Sequence, residues 1–179
     1  MPSNRLGKVQ KHITKKKGKN VVLHENSRDT RRLQSASARD DKLNRLAALR
    51  EKQNKPYLLR IKYFQTCAQE HESTFSTEES HAMIEGYLQR ENEELAALKA
   101  DRRAGRPPST RETLLKQNQE SEKGEFASGF WIPDLEDEHN VGKLKDWSGQ
   151  WSNLSTMNFV RITKDGAKHP SAFPPKGLS

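Results

Sequence analysis

Between residues 105 and 135 the chain stops one helix, starts another and then crowds its largest apolar side chains into a few positions. Pro107-Pro108 cannot continue a helix, and Ser109-Thr110-Arg111-Glu112 has the spacing of a capping box, so a helix is predicted to begin there. In that geometry the Ser109 hydroxyl accepts from the Glu112 amide while the Glu112 carboxylate accepts from the Ser109 amide. Lys123-Gly124 reads as the end of this helix. Beyond it, Phe126, Phe130, Trp131, Ile132 and Leu135 are too apolar for an idle surface loop, and Pro133 keeps them out of a helix interior. They must pack on something, in this chain or in a partner.

The rest of the chain offers little to pack with. Only 31% of its 179 residues are hydrophobic and 7% are aromatic, which predicts a small core and long polar extensions. The periodicity points to a mainly α fold: a small bundle of about four helices, a basic disordered N-terminal tail and an extended, aromatic-rich C-terminal region. The predicted organisation is a tail over 1–26, a helical domain over 27–125, an aromatic loop, short helix and extended arm over 126–162, and a second tail over 163–179. Leu33, Ala36, Leu43, Leu46, Ala47 and Leu49 give residues 27–52 only a thin apolar stripe, so that helix needs a partner surface along its length. Pro56 suits the first turn of the next helix, where Tyr57, Ile61, Phe64 and Ala68 recur at helical spacing and Cys67 reads as a small core residue. Ser76-Thr77-Glu78-Glu79 is a second capping box, opening an acidic amphipathic helix that runs to about residue 101. Val141, Leu144, Trp147 and Trp151 fit one face of a short helix, and residues 157–162 alternate like a short strand or extended arm.

Charge is unevenly placed. Residues 1–65 carry 18 Lys and Arg against 5 Asp and Glu, while residues 66–179 carry 14 against 19. The first third is therefore the predicted polyanion-binding part. Its candidates are Arg5, Lys8, Lys11, Lys15, Lys16, Lys17 and Lys19 in the tail and Arg28, Arg31, Arg32 and Arg39 in the first helix, joined by Arg102, Arg103 and Arg106 ahead of the proline pair. Lys15-Lys16-Lys17-Gly18-Lys19 is the run most like a nuclear import signal or a phosphate-binding tail, the plainer alternative being a merely solvated tail. Phe130, Trp131, Trp147 and Trp151 are the candidate partner-docking anchors, although apolar packing is the default role of a tryptophan.

Familiar chemistry is missing. The histidines, His12, His24, His71, His81, His139 and His169, are dispersed without ligand spacing, and the single cysteine cannot form an internal disulfide. No glycine-rich phosphate loop, dinucleotide fingerprint or nucleophile elbow occurs. No enzyme activity, metal, cofactor or small-molecule substrate is expected, and no run is apolar enough to span a bilayer, so a soluble intracellular protein of a reducing compartment is expected.

Several segments, in order, resemble the translation machinery-associated protein 16 family. They are Val22-Leu23-His24 with Ser27-Arg28; Ile84-Glu85 with Tyr87-Leu88-Gln89-Arg90 and Glu94-Leu95; Gly105-Arg106 with Ser109-Thr110-Arg111-Glu112-Thr113 and Lys116-Gln117; Phe126 with Gly129; Ile132-Pro133-Asp134-Leu135; and Trp147. The ordered set covers residues 22–162, whereas the C-terminal tail departs, containing Lys, Gly and Pro where some relatives look acidic. The resemblance implies a mostly helical, non-catalytic factor of ribosome biogenesis. It would bind the nuclear pre-60S ribosomal particle through large-subunit rRNA and ribosomal proteins of the large subunit, as a monomer on the particle, in the nucleus including the nucleolus. A cytoplasmic, ribosome-bound fraction is compatible with it. The rival expectation is a helical adaptor for a protein of the translation machinery, its basic tail serving only for import.

Overall fold

The computed structural model describes residues 5–19, 22–71, 73–103 and 105–175. In chain order the elements are α1 (Arg5–Lys17), α2 (Arg28–Glu70), α3 (Thr77–Gln89), α4 (Asn92–Asp101), α5 (Thr110–Ser128), β1 (Phe130–Pro133), α6 (Glu138–Lys145), a 3-10 helix (Trp151–Thr156), β2 (Phe159–Ile162) and β3 (Lys168–Ser171). The fold is mainly α, as expected. The chain divides into two compact units, Met1–Asn54 and Lys55–Ser179.

In the first unit, the tail expected to be disordered contains a helix. Leu6, Val9 and Ile13 recur at spacings of three and four, and Ile13 and Ala36 are buried. Polar contacts near both ends tie α1 to α2: the Leu6 amide donates to Asp40 Oδ2 at 2.9 Å, and Lys17 Nζ meets Asp29 Oδ2 at 2.6 Å. Their order makes the pair antiparallel. Three well-spaced apolar residues among six Lys and Arg were enough to fold this segment, because a second helix was available to cover them. The turn before α2 is fixed by Ser27, whose hydroxyl accepts from the Thr30 amide at 3.2 Å, while Thr30 Oγ1 donates to the His24 carbonyl at 2.7 Å.

The helix expected to start at Pro56 is instead the continuation of α2, with Pro56 inside it. A proline there removes one backbone bond, and the Leu, Arg, Lys and Gln around it are good helix formers. In the second unit Ile61, Phe64 and Ala68 of α2 join Ile84, Tyr87 and Leu88 of α3 in one core. The Ser76 capping box is complete, with the Glu79 amide donating to Ser76 Oγ and the Ser76 amide donating to Glu79 Oε2. The acidic stretch expected as one helix breaks at Arg90–Glu91 into α3 and α4.

Ser109 caps α5 as expected, accepting from the Glu112 amide at 3.1 Å. The other half of that predicted box is replaced: the buried Glu112 carboxylate takes Lys116 Nζ at 2.6 Å and Arg102 Nη1 at 3.5 Å. α5 also runs past Gly124 and ends at Gly129, whose φ of 127° a side chain would resist.

The expected aromatic loop is strand β1, and part of the expected C-terminal tail is strand β3. The sheet is antiparallel with β2 in the middle, pairing Phe130 with Ile162 and Ile132 with Val160 on one side and Phe159 with Ser171 on the other. All four residues of β1 are buried, so both faces are covered and no alternation betrays the strand. Asn140 of α6, 1% exposed, donates to the carbonyls of Asp134 and Asn158 and accepts from the Asn158 amide, joining the two strand ends.

Candidate nucleic-acid interface

The hairpin of α1 and α2 gathers the basic residues. Arg28, Arg32 and Arg39 recur at spacings of four and seven along α2, which places them on one side with Ser35 and Ala36. Together with Arg31 of α2, and Arg5 and Val9 of α1, they line an open groove of about 470 Å³. All five arginines are exposed. Among the described residues none of them is held in an ion pair, because the nearby carboxylates of Asp29 and Asp40 are engaged in the contacts that close the hairpin. The Lys17 bond, with help from the positive charge of Lys16 and Arg32, holds the Asp29 carboxyl below the usual carboxylate range, against a smaller effect of burial. The groove thus keeps five guanidinium groups outside any ion pair among the described residues, the chemistry that grips phosphate oxygens in bidentate fashion.

The lysines lie on a different side of α1. Lys8, Lys11 and Lys15, spaced three and four apart, form an exposed stripe away from Leu6 and Ile13, with Lys16 and Lys19 also exposed. Lys17 is the exception, bound to Asp29. Residues 1–54 contain no Phe, Trp or Tyr. A surface of this kind grips a phosphate backbone and offers no Phe, Trp or Tyr face on which to stack a base, its rings being the imidazoles of His12 and His24.

Arg102, Arg103 and Arg106 belong to the second unit. Arg102 is half-buried against Glu112, while Arg103 and Arg106 are exposed in a turn closed by the Arg106 amide donating to the Arg103 carbonyl at 3.1 Å.

The expectation of aromatic docking anchors is corrected for three of its four residues. Phe130 and Trp131 are 0% exposed and Trp147 is 7% exposed, so their faces are consumed by the core. Trp131 stacks on Phe159 with ring centroids 4.2 Å apart and meets the edge of Tyr57 at 5.7 Å. Trp147 Nε1 donates to the Gln150 carbonyl at 2.9 Å. Trp151 is half-buried against Phe173 and Tyr57. The sheet's apolar residues found their partner within the second unit.

Sequence reading missed the most consequential charged residue of that unit. Arg60, 4% exposed, donates to both carboxylate oxygens of Glu125 at 2.8 and 2.7 Å and to the Trp131 carbonyl at 3.2 Å, with its guanidinium 3.9 Å from the Phe130 ring centre. Burial opposes its charge, but the Glu125 bond and field outweigh that and raise its pKa. The available signal was an arginine between Leu59 and Ile61 in the apolar last third of α2; its partner, 65 residues away, left none. Cys67 is half-buried and burial pushes its thiol up, in keeping with a packing role. Among the described residues no helix is long and apolar enough to cross a membrane.

A family model described as translation machinery-associated protein 16 matches residues 19–164. The chain belongs to that family. It is 34% identical over 165 residues to translation machinery-associated protein 16 of Saccharomyces cerevisiae, covering 90% of this chain and 92% of that one. The proteins of the same name from Xenopus laevis and Xenopus tropicalis are 25% and 26% identical, covering 88% and 83% of this chain and 82% and 78% of theirs. Arg28, Arg31, Arg32 and Arg39 lie inside the region of the family model, whereas α1, with Arg5, precedes it.

Proposed function

We propose that this member of the family is a non-catalytic assembly factor of the large ribosomal subunit, which binds its nuclear precursor through rRNA and ribosomal-protein contacts. The name of its relatives supports association with the translation machinery, and the groove supports RNA as the contact. The observation that carries the reading is the set of five arginines outside any ion pair around an open groove in a unit without Phe, Trp or Tyr. Such a surface fits the phosphates of structured rRNA and is indifferent to base identity. The lysine stripe of α1 widens the basic surface, and the run from Lys15 to Lys19 would serve nuclear and nucleolar entry.

Phosphate contacts make a quantitative demand. If the groove neutralises about five phosphates, the logarithm of affinity falls with that of salt concentration with a slope of about −3.5 to −4.5. The test is ultraviolet crosslinking of the tagged full chain in cells, with sequencing of the attached RNA, beside a variant with Arg28, Arg31, Arg32 and Arg39 changed to Gln. Reads focused on large-subunit rRNA, including unprocessed precursor, and reduced by the variant are expected. Background reads, with protein partners still recovered after ribonuclease, would overturn the reading in favour of an adaptor whose basic segment is only an import signal.

A further inference from the structure

The middle of α2 carries a second surface. Residues 41–50 are all exposed, yet the segment includes Leu43, Leu46 and Leu49 at 53%, 40% and 55% exposure. Spaced three apart, they occupy one side of two helical turns, with Lys42 and Arg50 beside them and Arg45 and Lys52 at the rim. Asp41, Asn44, Ala48 and Glu51 occupy the opposite side. The leucines are not used by the groove, which lies against an earlier part of the helix.

Three leucines left in water add nothing to a helix that is marginal by itself, so this face lacks the surface that would hold it. RNA is a poor occupant, because the leucine side chains offer phosphates neither charge nor hydrogen bonds. The same face of a second copy would bring cations against cations. What fits both the apolar strip and its basic border is a protein surface of the opposite pattern, apolar at its centre and bordered by carboxylates.

We infer that the face of α2 formed by Leu43, Leu46 and Leu49 and bordered by Lys42, Arg45, Arg50 and Lys52 docks a protein partner through an acidic-bordered apolar surface. The leucines supply contact area and the border sets orientation and encounter rate. This inference rests on other residues than the rRNA-binding groove and specifies the protein side of the proposed function, so it can fail while the rRNA contact stands.

The test is photocrosslinking in cells with the full-length tagged chain carrying benzoylphenylalanine in place of Leu46, compared with the same probe at exposed Glu120. The expected product at position 46 is a protein adduct whose crosslinked peptide combines apolar residues with Asp or Glu. Adding Leu43→Ser and Leu49→Ser should reduce it at least tenfold, as should reversing Lys42, Arg45, Arg50 and Lys52 to Glu. Helix content measured by circular dichroism confirms that the variants remain folded. An RNA adduct, an adduct to a second copy, a peptide without acidic residues, a yield no higher than at position 120, or a yield unchanged by either set of substitutions overturns the inference. Loss of rRNA crosslinks from the groove variant with the position 46 adduct retained would separate this surface from the RNA-binding one.

Discussion

Arg60 shows how one side chain commits a neighbourhood. Its guanidinium is buried, and Glu125, 24% exposed, supplies the compensating charge while Trp131 supplies a carbonyl and Phe130 a ring face. Removing Glu125 leaves a cation in an apolar interior, which is far more costly than removing the pair together. Glu125→Gln is therefore expected to destabilise the second unit by roughly 3 kcal/mol, the low end for a buried pair because Glu125 keeps part of its surface in water. Urea denaturation followed by far-ultraviolet circular dichroism measures it, and Arg60→Met combined with Glu125→Gln should recover much of the loss. Equal stability of the single variant and the parent would mean that the pair contributes nothing.

At the scale of elements, the junction of α5 and β1 depends on Gly129. A Cβ built there would lie 3.2 Å from the Arg161 Cβ, and φ is 127°. Gly129→Ala should cost about 1 to 3 kcal/mol, the range for a residue forced into such backbone geometry, whereas Gly124→Ala, in open space within the helix, should be neutral or mildly stabilising. Comparing the two midpoints decides which glycine ends the helix in solution. The tether between α1 and α2 responds to acid instead. The folded pKa of Asp29 is depressed, chiefly by its bond to Lys17. The stability it adds is thus present above its unfolded value of about 4 and is lost as pH falls through the lower folded value. Hydrogen exchange of the α1 amides should accelerate as pH drops below about 4 relative to a reference peptide, and Lys17→Met should remove that acid response.

These elements also mark where the sequence was readable. Ser76 and Ser109 announce their helices because a cap acts over three residues, and Ile61, Phe64 and Ala68 announce a buried helix face because its period is local. The α1 helix was hidden because three apolar residues among cations do not form a helix without a partner, and β1 because burial on both faces erases alternation. The end of α5 was misplaced since Gly124 has the residue type of a terminator, whereas Gly129 has the conformation of one. At the site, residue type identified the arginines of the groove, but the role expected of Phe130, Trp131 and Trp147 depended on whether the chain itself could cover them.

For the whole molecule, the two units differ in how they are held. The second has a contiguous core fed by helices and a sheet, while in the first the buried hydrophobic residues among those described are Ile13 and Ala36. A unit with so little buried apolar surface opens at low free-energy cost. Amides of α1 and of residues 28–40 are expected to exchange faster than those of α3 and α5. Adding a large-subunit rRNA fragment at low salt should slow exchange in the first unit while leaving the second unchanged, as binding to the folded form alone requires. Mass-resolved hydrogen exchange with and without RNA tests this; uniform protection of both units would contradict it.

The division has an optical consequence. Every Phe, Tyr and Trp of the chain falls within Lys55–Ser179, as does its only cysteine. Intrinsic fluorescence therefore originates wholly outside the groove-bearing half, and an emission spectrum that stays constant during an RNA titration is equally compatible with a filled and an empty groove. The same arrangement makes a clean two-colour instrument. A cysteine introduced at exposed Gln34, outside the groove lining, in a Cys67→Ser background would report from the first unit while the tryptophans report from the second, so one cuvette can follow the two halves separately.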